Sequence, residues 1–317
     1  MNDNENRKLN NFSMKTILIL LIIEMLMIVG AHGYKKRTFK QKPIGTFFVA
    51  NTEFISLEQK SGGFNNTKDI KIHYIDVGQG DSIFIELPNS ETALIDAGTS
   101  KSGNQIVSYI KNLGYSSINY IIATHPHADH IGSMKKVIEN FEVEQMFLPP
   151  IQASTITYKK LIEKNIKITS TTVMGVKIFE YDNLKFEVLS PVQNVLYSDL
   201  NNWSIVAKLS YGNSDFLFTG DAETEAENIL LKQKTNLQSE VLKAGHHGSR
   251  TSSSKDFVQT VNPMIAVISC GKNNKYKHPN IETLDLFKNL KITEYRTDLQ
   301  GSILIEANKK ETFKVTS

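Results

Sequence analysis

The stretch "NYIIATHPHADH" (residues 119–130) runs from an apolar strand pattern straight into His125, His127, Asp129 and His130. If the strand ends at Thr124, the loop leaving it lets His125 and His127 converge on one cation while Asp129 and His130 turn to a second. Imidazole mixed with carboxylate suits zinc, manganese or iron, whereas magnesium and calcium prefer all-oxygen shells. A lone loop histidine is ordinarily a satisfied polar residue. Four ligand-type side chains within six positions point instead to a metal site.

Further ligands follow at other strand ends. "SDFLFTGD" (214–221) delivers Asp221 after an apolar run, and "EVLKAGHHGS" (240–249) delivers His246 and His247 in the same way. An isolated aspartate after a strand is ordinarily a turn residue or a helix cap. Beside the two histidine clusters, Asp221 is a natural bridge, because one carboxylate can give an oxygen to each of two metals.

From Ile70 the hydrophobic pattern is regular in both directions. "IKIHYIDV", "SIFIEL" and "TALID" alternate and are separated by short turns, which predicts an antiparallel start to a sheet. "NQIVSYIKNLG" places Ile106, Ile110 and Leu113 on one helical face and stops at Gly114. Residues 131–140 read as helix and "VEQMFLP" as strand. A second β-rich half follows, with a Gly212-Asn213 hairpin turn joining "WSIVAKLSYG" to "SDFLFTGD". Two β-rich halves, each with helices outside, predict an α/β (α+β) chain folded as a four-layer αβ/βα sandwich.

The 317 residues are 40% hydrophobic and 22% charged, enough for a large core, which excludes a disordered or fibrous protein. The net charge of +3 gives no whole-protein basic field that would by itself hold a nucleic-acid backbone. Residues 1–33 carry Arg7, Lys8 and Lys15 ahead of an apolar run, Ile17 to Ala31, broken only by Glu24. That is the pattern of a signal peptide or an uncleaved N-terminal membrane anchor, and it implies an exported protein, secreted or held on the outer face of the membrane. The single Cys270 excludes an intrachain disulfide. Residues 34–68 read as a linker with short strands, and residues 69–317 as the catalytic domain.

H-x-H-x-D-H at 125–130, with "LIDAG" before it and "FTGD" and "GHHGS" after it, resembles the metallo-β-lactamase fold superfamily. Within it, "DVGQGDS" (76–82), "NNWSIVAKLSYG" (201–212), "LKAGHHGSRTSSS" (242–254) and "KYKHPN" (275–280) are similar to the hydrolase domain of ComEC-type DNA-uptake proteins. The resemblance implies a metallo-β-lactamase sandwich holding two divalent ions, zinc or manganese. His125 and His127 would bind the first and Asp129 and His130 the second, with Asp221 bridging and one of His246 and His247 closing the second site. His247 is taken as the ligand, with His246 facing substrate. The family's usual middle histidine is missing between His130 and His246, and Asn202 is the expected replacement. Asp96 is expected behind the ligands, Gln79 and Asp81 at the mouth, and Ser249, Arg250 and Tyr276 on substrate. Asp129, His246 and His278 are the expected catalytic side chains, His278 as proton donor or phosphate contact.

The function implied is an exported metal-dependent phosphodiesterase, a nuclease acting on DNA, with Arg250, Lys272, Lys275 and Lys277 as a local basic patch. Any role in DNA uptake would need a separate channel as partner. Two alternatives stand beside it. One is a cell-envelope phosphoesterase of the teichoic-acid phosphorylcholine type, with Trp203 and Tyr276 as a cation cage. The other is a metal-binding module without catalysis.

Overall fold

The structure is a computed structural model that describes residues 68–163, 168–310 and 313–317. The expected signal or anchor segment lies outside the described residues, as does the expected linker apart from its last residue. Among the described residues no helix is long and apolar enough to cross a membrane.

Among the described residues fifteen strands form two sheets. The first contains β1 (Ile70–Tyr74), β2 (Ile83–Glu86), β3 (Thr92–Ile95), β4 (Ser117–Ile122), β5 (Glu142–Leu148), β6 (Ile168–Thr171), β14 (Ile303–Ala307) and β15 (Phe313–Thr316), in the order β15-β14-β1-β2-β3-β4-β5-β6. The second contains β7 (Lys177–Tyr181), β8 (Leu184–Ser190), β9 (Val206–Tyr211), β10 (Ser214–Phe218), β11 (Val241–Lys243), β12 (Ile265–Ile268) and β13 (Thr293–Arg296), in the order β13-β12-β11-β10-β9-β8-β7.

Alternation along the strands explains why the sheets stack. Ile70, Ile72 and Tyr74 of β1 and Phe216 and Phe218 of β10 enter one core shared by both sheets. Their neighbours face outward, Leu217 into a second core beneath helices and Phe84 of β2 into a third. A strand buried on both faces reads as a continuous apolar run, as "DFLF" and "YIIA" do. The second core rests on α5 (Thr224–Lys232), α6 (Lys255–Val261) and α7 (Ile281–Asn289), and the third on α1 (Gly103–Asn112) and α3 (Met134–Ile138). The result is the four-layer αβ/βα sandwich that the sequence predicts.

Some elements differ from the sequence reading. The expected helix over 131–140 is two short pieces, α2 (Ala128–Ile131) and α3, broken at Gly132. A side chain there would place Cβ 2.4 Å from the Ser100 amide nitrogen, so the close approach of two loops requires glycine. Helix α4 (Ile156–Ile162) and strand β7 carry no expectation from the sequence; α4 buries only Leu161, leaving almost no periodic signal.

Two features of the topology position the site. β3 and β4 run parallel, as do β10, β11 and β12, so their carboxyl ends all feed loops to one edge of the sandwich. The Ile205 amide then donates to Thr124 O across the two halves at 2.9 Å, tying the loop after β4 to the second sheet.

Candidate metal centre

The loop after β4 carries the first ligand group. His125 is fully buried, with Nδ1 3.1 Å from Thr124 Oγ1 and 3.3 Å from Ser204 Oγ, and with Nε2 2.9 Å from His127 Nδ1. His130 is also fully buried, and its Nδ1 lies 2.7 Å from Asp96 Oδ2. A carboxylate only accepts, so Nδ1 donates and Nε2 is turned inward. Asp96 is fixed in turn by the amide and hydroxyl of Thr124, at 2.8 and 2.7 Å.

The second sheet supplies the other half. Asp221 follows β10, is 2% exposed, and brings Oδ2 to 3.1 Å from His130 Nε2, 3.4 Å from His247 Nε2 and 3.9 Å from His125 Nε2. His247 Nδ1 lies 2.9 Å from the Ser269 carbonyl oxygen, so it too donates there and presents Nε2. Asp129 Oδ2 stands 3.5 Å from that Nε2. His246 sits at the mouth instead, with Nδ1 3.1 Å from Glu223 Oε1 and Nε2 3.8 Å from Asp221 Oδ2. Both members of the pair have left-handed backbones, φ +47° and +55°, a conformation that costs a non-glycine residue roughly 1 to 3 kcal/mol. That strain is what aims two adjacent imidazoles at one cleft.

The donor set fits divalent cations. Ligand atoms of His125, His130 and Asp221 lie within 4.8 Å of one another, as do those of Asp129, His130 and His247. His130 Nε2, His247 Nε2 and Asp221 Oδ1 are buried without a hydrogen-bond partner. The 3.1 Å approach of His130 Nε2 to Asp221 is therefore a charge contact out of hydrogen-bonding alignment, the arrangement that a shared cation would relieve.

Electrostatics agree. Burial opposes a charge on His130 and His247, but Asp221, with Asp96 beside the first and Asp81 beside the second, outweighs it and holds both well above the ordinary histidine value. For His125 burial and the charge of His130 outweigh the support of Asp221 and push it well below. Burial also pushes on Asp221, yet His130 and His247 hold its carboxyl well below the usual range.

Four expected residues stand elsewhere. Asn202 is not turned to the cations: its Oδ1 accepts from the Glu223 and Ala226 amides at 3.0 and 3.3 Å, and its Nδ2 donates to Glu225 at 3.0 Å. It caps the start of α5. Its neighbour Asn201 lines the cleft, with a buried Oδ1 that has no partner. Ser249 exchanges hydrogen bonds with Thr251, and Arg250 pairs with Glu282 at 3.6 Å; neither lines the cleft. The neighbouring serines serve the fold, since the Ser253 and Ser254 amides donate to the buried Glu227 carboxylate. Trp203 packs against Tyr197 in the core, 5.2 Å between rings, and forms no cage.

Asp81 lies deeper than the mouth. It is 1% exposed, with Oδ2 2.9 Å from Lys243 Nζ and Oδ1 3.4 Å from His247 Nδ1. Burial would raise its carboxyl, but Lys243 and His247 bring it to about 2. Lys243, fully buried on β11, is absent from the sequence reading; the signal was there, because it shares the inward face of "VLK" with Val241. Gly80 lets this loop pass: a Cβ there would meet Asp129 O at 2.3 Å, at a φ of +139°.

The cleft over the cluster has a volume of about 300 Å³ and is lined by Gln79, His127, Asp129, Asn201, Asp221, His246, His247, Tyr276 and His278, among others. The His278 ring lies 5.3 Å from that of His246. Burial and the neighbouring His246 push His278 down to about 4, and its buried Nδ1 has no hydrogen-bond partner.

The family model of the metallo-beta-lactamase superfamily matches residues 75–272, the span that holds nearly all of these side chains. The chain belongs to the metallo-beta-lactamase superfamily. Superfamily membership and the clustered histidines and aspartates together mark a metal-dependent hydrolase. Among curated relatives, ComE operon protein 3 of Bacillus subtilis is 30% identical over 265 residues, which is 77% of this chain and 34% of that protein. Competence protein ComA of Neisseria gonorrhoeae is 31% identical over 232 residues, 72% of this chain and 31% of that protein. The chain thus spans about a third of these relatives' length. Among solved structures, a mutant of the CmlA beta-hydroxylase, an enzyme known from Streptomyces venezuelae, superposes with a TM-score of 0.52 at 10% identity, covering 75% of this chain and 54% of that one. That likeness concerns the fold alone.

Proposed function

We propose that the chain is an exported phosphodiesterase that cleaves DNA with two divalent cations, zinc or manganese. The observation that carries the reading is the convergence of unpartnered His130 Nε2, His247 Nε2 and Asp221 Oδ1 beneath an open cleft. In this reading His125, His127 and Asp221 hold one cation, and Asp129, His130, His247 and Asp221 the other. Asn201 Oδ1 offers a neutral oxygen in place of the missing histidine. Bound cations supply a water of lowered pKa and positive charge for a phosphate in its transition state.

The chain's own residues do the rest. Asp96 and the Ser269 carbonyl hold His130 and His247 in the tautomer that presents Nε2. Glu223 fixes His246, whose Nε2 faces the cleft as a donor to a phosphate oxygen. No serine of the 249–254 loop is placed to attack, so no covalent enzyme intermediate is invoked. The names of the competence relatives support DNA as the polymer, and the competence relation supports work at the cell envelope. The phosphorylcholine reading loses support, because Trp203 is in the core.

The test is a substrate panel with the purified full chain reloaded with Mn²⁺ or Zn²⁺. Cleavage of single-stranded DNA is expected, abolished by chelation. Hydrolysis of a bis-aryl phosphodiester with no cleavage of DNA would overturn the nuclease assignment and leave the phosphodiesterase standing.

A further inference from the structure

One element of the cleft is used by none of this chemistry. The loop 271–280 is held rigidly by Asn274, whose Nδ2 donates to Gly271 O at 2.8 Å and to His278 O at 2.5 Å while its Oδ1 accepts from the His278 amide at 3.0 Å. The Gly271 amide donates to Gln79 Oε1 at 3.2 Å, joining the loop to the other side of the cleft. On this loop Tyr276 lies nearly parallel to His278, ring centroids 5.7 Å apart and planes 25° apart. Through His278 and His246 a row of rings leads from the cation cluster to the rim. Tyr276 lines the cleft yet remains 51% exposed.

Single exposed aromatics are common and ordinarily mean nothing. This one is set apart by three things: it lines the candidate site, a stacked ring braces it, and its loop carries lysines. Lys275 Nζ stands 4.8 Å from its ring centre, and Lys272, Lys275 and Lys277 are exposed with no ion pair among the described residues. A half-exposed ring lining the proposed phosphodiester site, on a loop that carries three exposed lysines, matches the way single-stranded nucleic acids are held, bases on aromatics and backbone on cations. The Lys275 ammonium over that ring is exposed and has no ion pair among the described residues, so a base takes that ring face once Lys275 turns to the backbone.

We propose that Tyr276, braced by His278, is a stacking platform for a nucleobase next to the scissile phosphodiester, so that the site prefers unpaired strands to duplex. A base can reach this ring only when it leaves its own stack, which a duplex resists. The lysines then follow the backbone on either side. The proposal rests on the nuclease reading, and its test separates the two.

The full chain is assayed beside Tyr276→Ala and Tyr276→Phe on a short single-stranded oligonucleotide, its duplex, and the same strand with abasic residues around the cleavage position. The expected result is a rise in KM of about tenfold for Tyr276→Ala on the base-bearing single strand, with Tyr276→Phe close to the parent. The advantage of the base-bearing strand over the abasic one is expected to fall to near one in Tyr276→Ala and to persist in Tyr276→Phe. Binding is read separately without turnover, in chelator, by the fluorescence of 2-aminopurine within the strand. Quenching by the parent and Tyr276→Phe, and its loss in Tyr276→Ala, is expected. DNA cleavage with no change in KM and no change in quenching overturns the platform and leaves the nuclease intact. No cleavage of any nucleic acid, with quenching that depends on Tyr276, overturns the nuclease and leaves the platform. Failure of both measurements removes both.

Discussion

His125, His130, Asp221 and His247, on the floor of the cleft, expose 2% of their surface or less, whereas Tyr276 on its rim exposes 51%. Each floor histidine has its Nδ1 held by a protein partner; behind them Thr124 fixes the Asp96 carboxylate and Lys243 that of Asp81, and the Asp221 backbone amide donates to Ser204 Oγ. The rim carries exposed lysines on a loop fastened mainly through Asn274. Burial makes the floor intolerant of change because every charge there depends on a neighbour. The rim can change its side chains without unfolding anything. In the proposed reading chemistry belongs to the floor and substrate choice to the rim, and the floor is where substitutions should act most strongly.

The largest effect is expected at Asp221, which faces His125, His130 and His247 together. Asp221→Asn should lower kcat/KM on any phosphodiester on the order of a thousandfold or more, with loss of bound metal by elemental analysis. Full metal content with near-normal activity would break the floor assignment. Next comes Lys243→Met, which leaves Asp81 buried without its cation. A loss of about 3 kcal/mol or more in denaturant unfolding is expected, partly recovered by the double variant with Asp81→Asn.

Asp96→Asn should weaken metal binding about 10- to 100-fold by freeing the His130 tautomer, measured by competition with a chelating dye. In the metal-free protein, carboxylates hold His130 and His247 above the ordinary value of about 6.5, so both carry protons that a cation must displace. Metal affinity should therefore rise with pH through the neutral range. The sign for stability is opposite. Groups with raised pKa stabilise the metal-free fold fully below about pH 6.5 and stop doing so as pH rises through their folded values. The gain in Tm on adding metal should thus grow with pH; a gain that is flat from about pH 6 to 8 would remove the proton competition.

The smallest effects distinguish two adjacent asparagines. Asn202→Ala should destabilise the chain by about 1 to 2 kcal/mol, through loss of the cap on α5, with metal content intact. Asn201→Ala should leave the unfolding midpoint nearly unchanged and weaken one of the two metals. The reverse pattern would return Asn202 to the site.

The parts of this molecule legible in its sequence are those whose signals are local. Strand alternation at Ile70, Ile72 and Tyr74 and the run of Phe216 to Phe218 announce the two sheets, and the histidines and Asp221 announce themselves by following strands. Helix α4 buries one side chain, and β7 lies at a sheet edge, so neither has a clear period to read. Asn201 and Asn202 look equivalent in sequence; a single turn of 3-10 helix, Leu200–Trp203, decides which faces the cleft.

The fold, the kind of cation site and most side chains suited to it can be read along the chain, because hydrophobic periodicity and ligand type are properties of short segments. How those side chains are wired follows from contacts between distant segments. The left-handed His246-His247 corner, the Lys243–Asp81 pair and the approach of Tyr276 to the cleft each depend on backbone torsions and on loops far apart in the chain. No window of sequence contains both partners of such a contact.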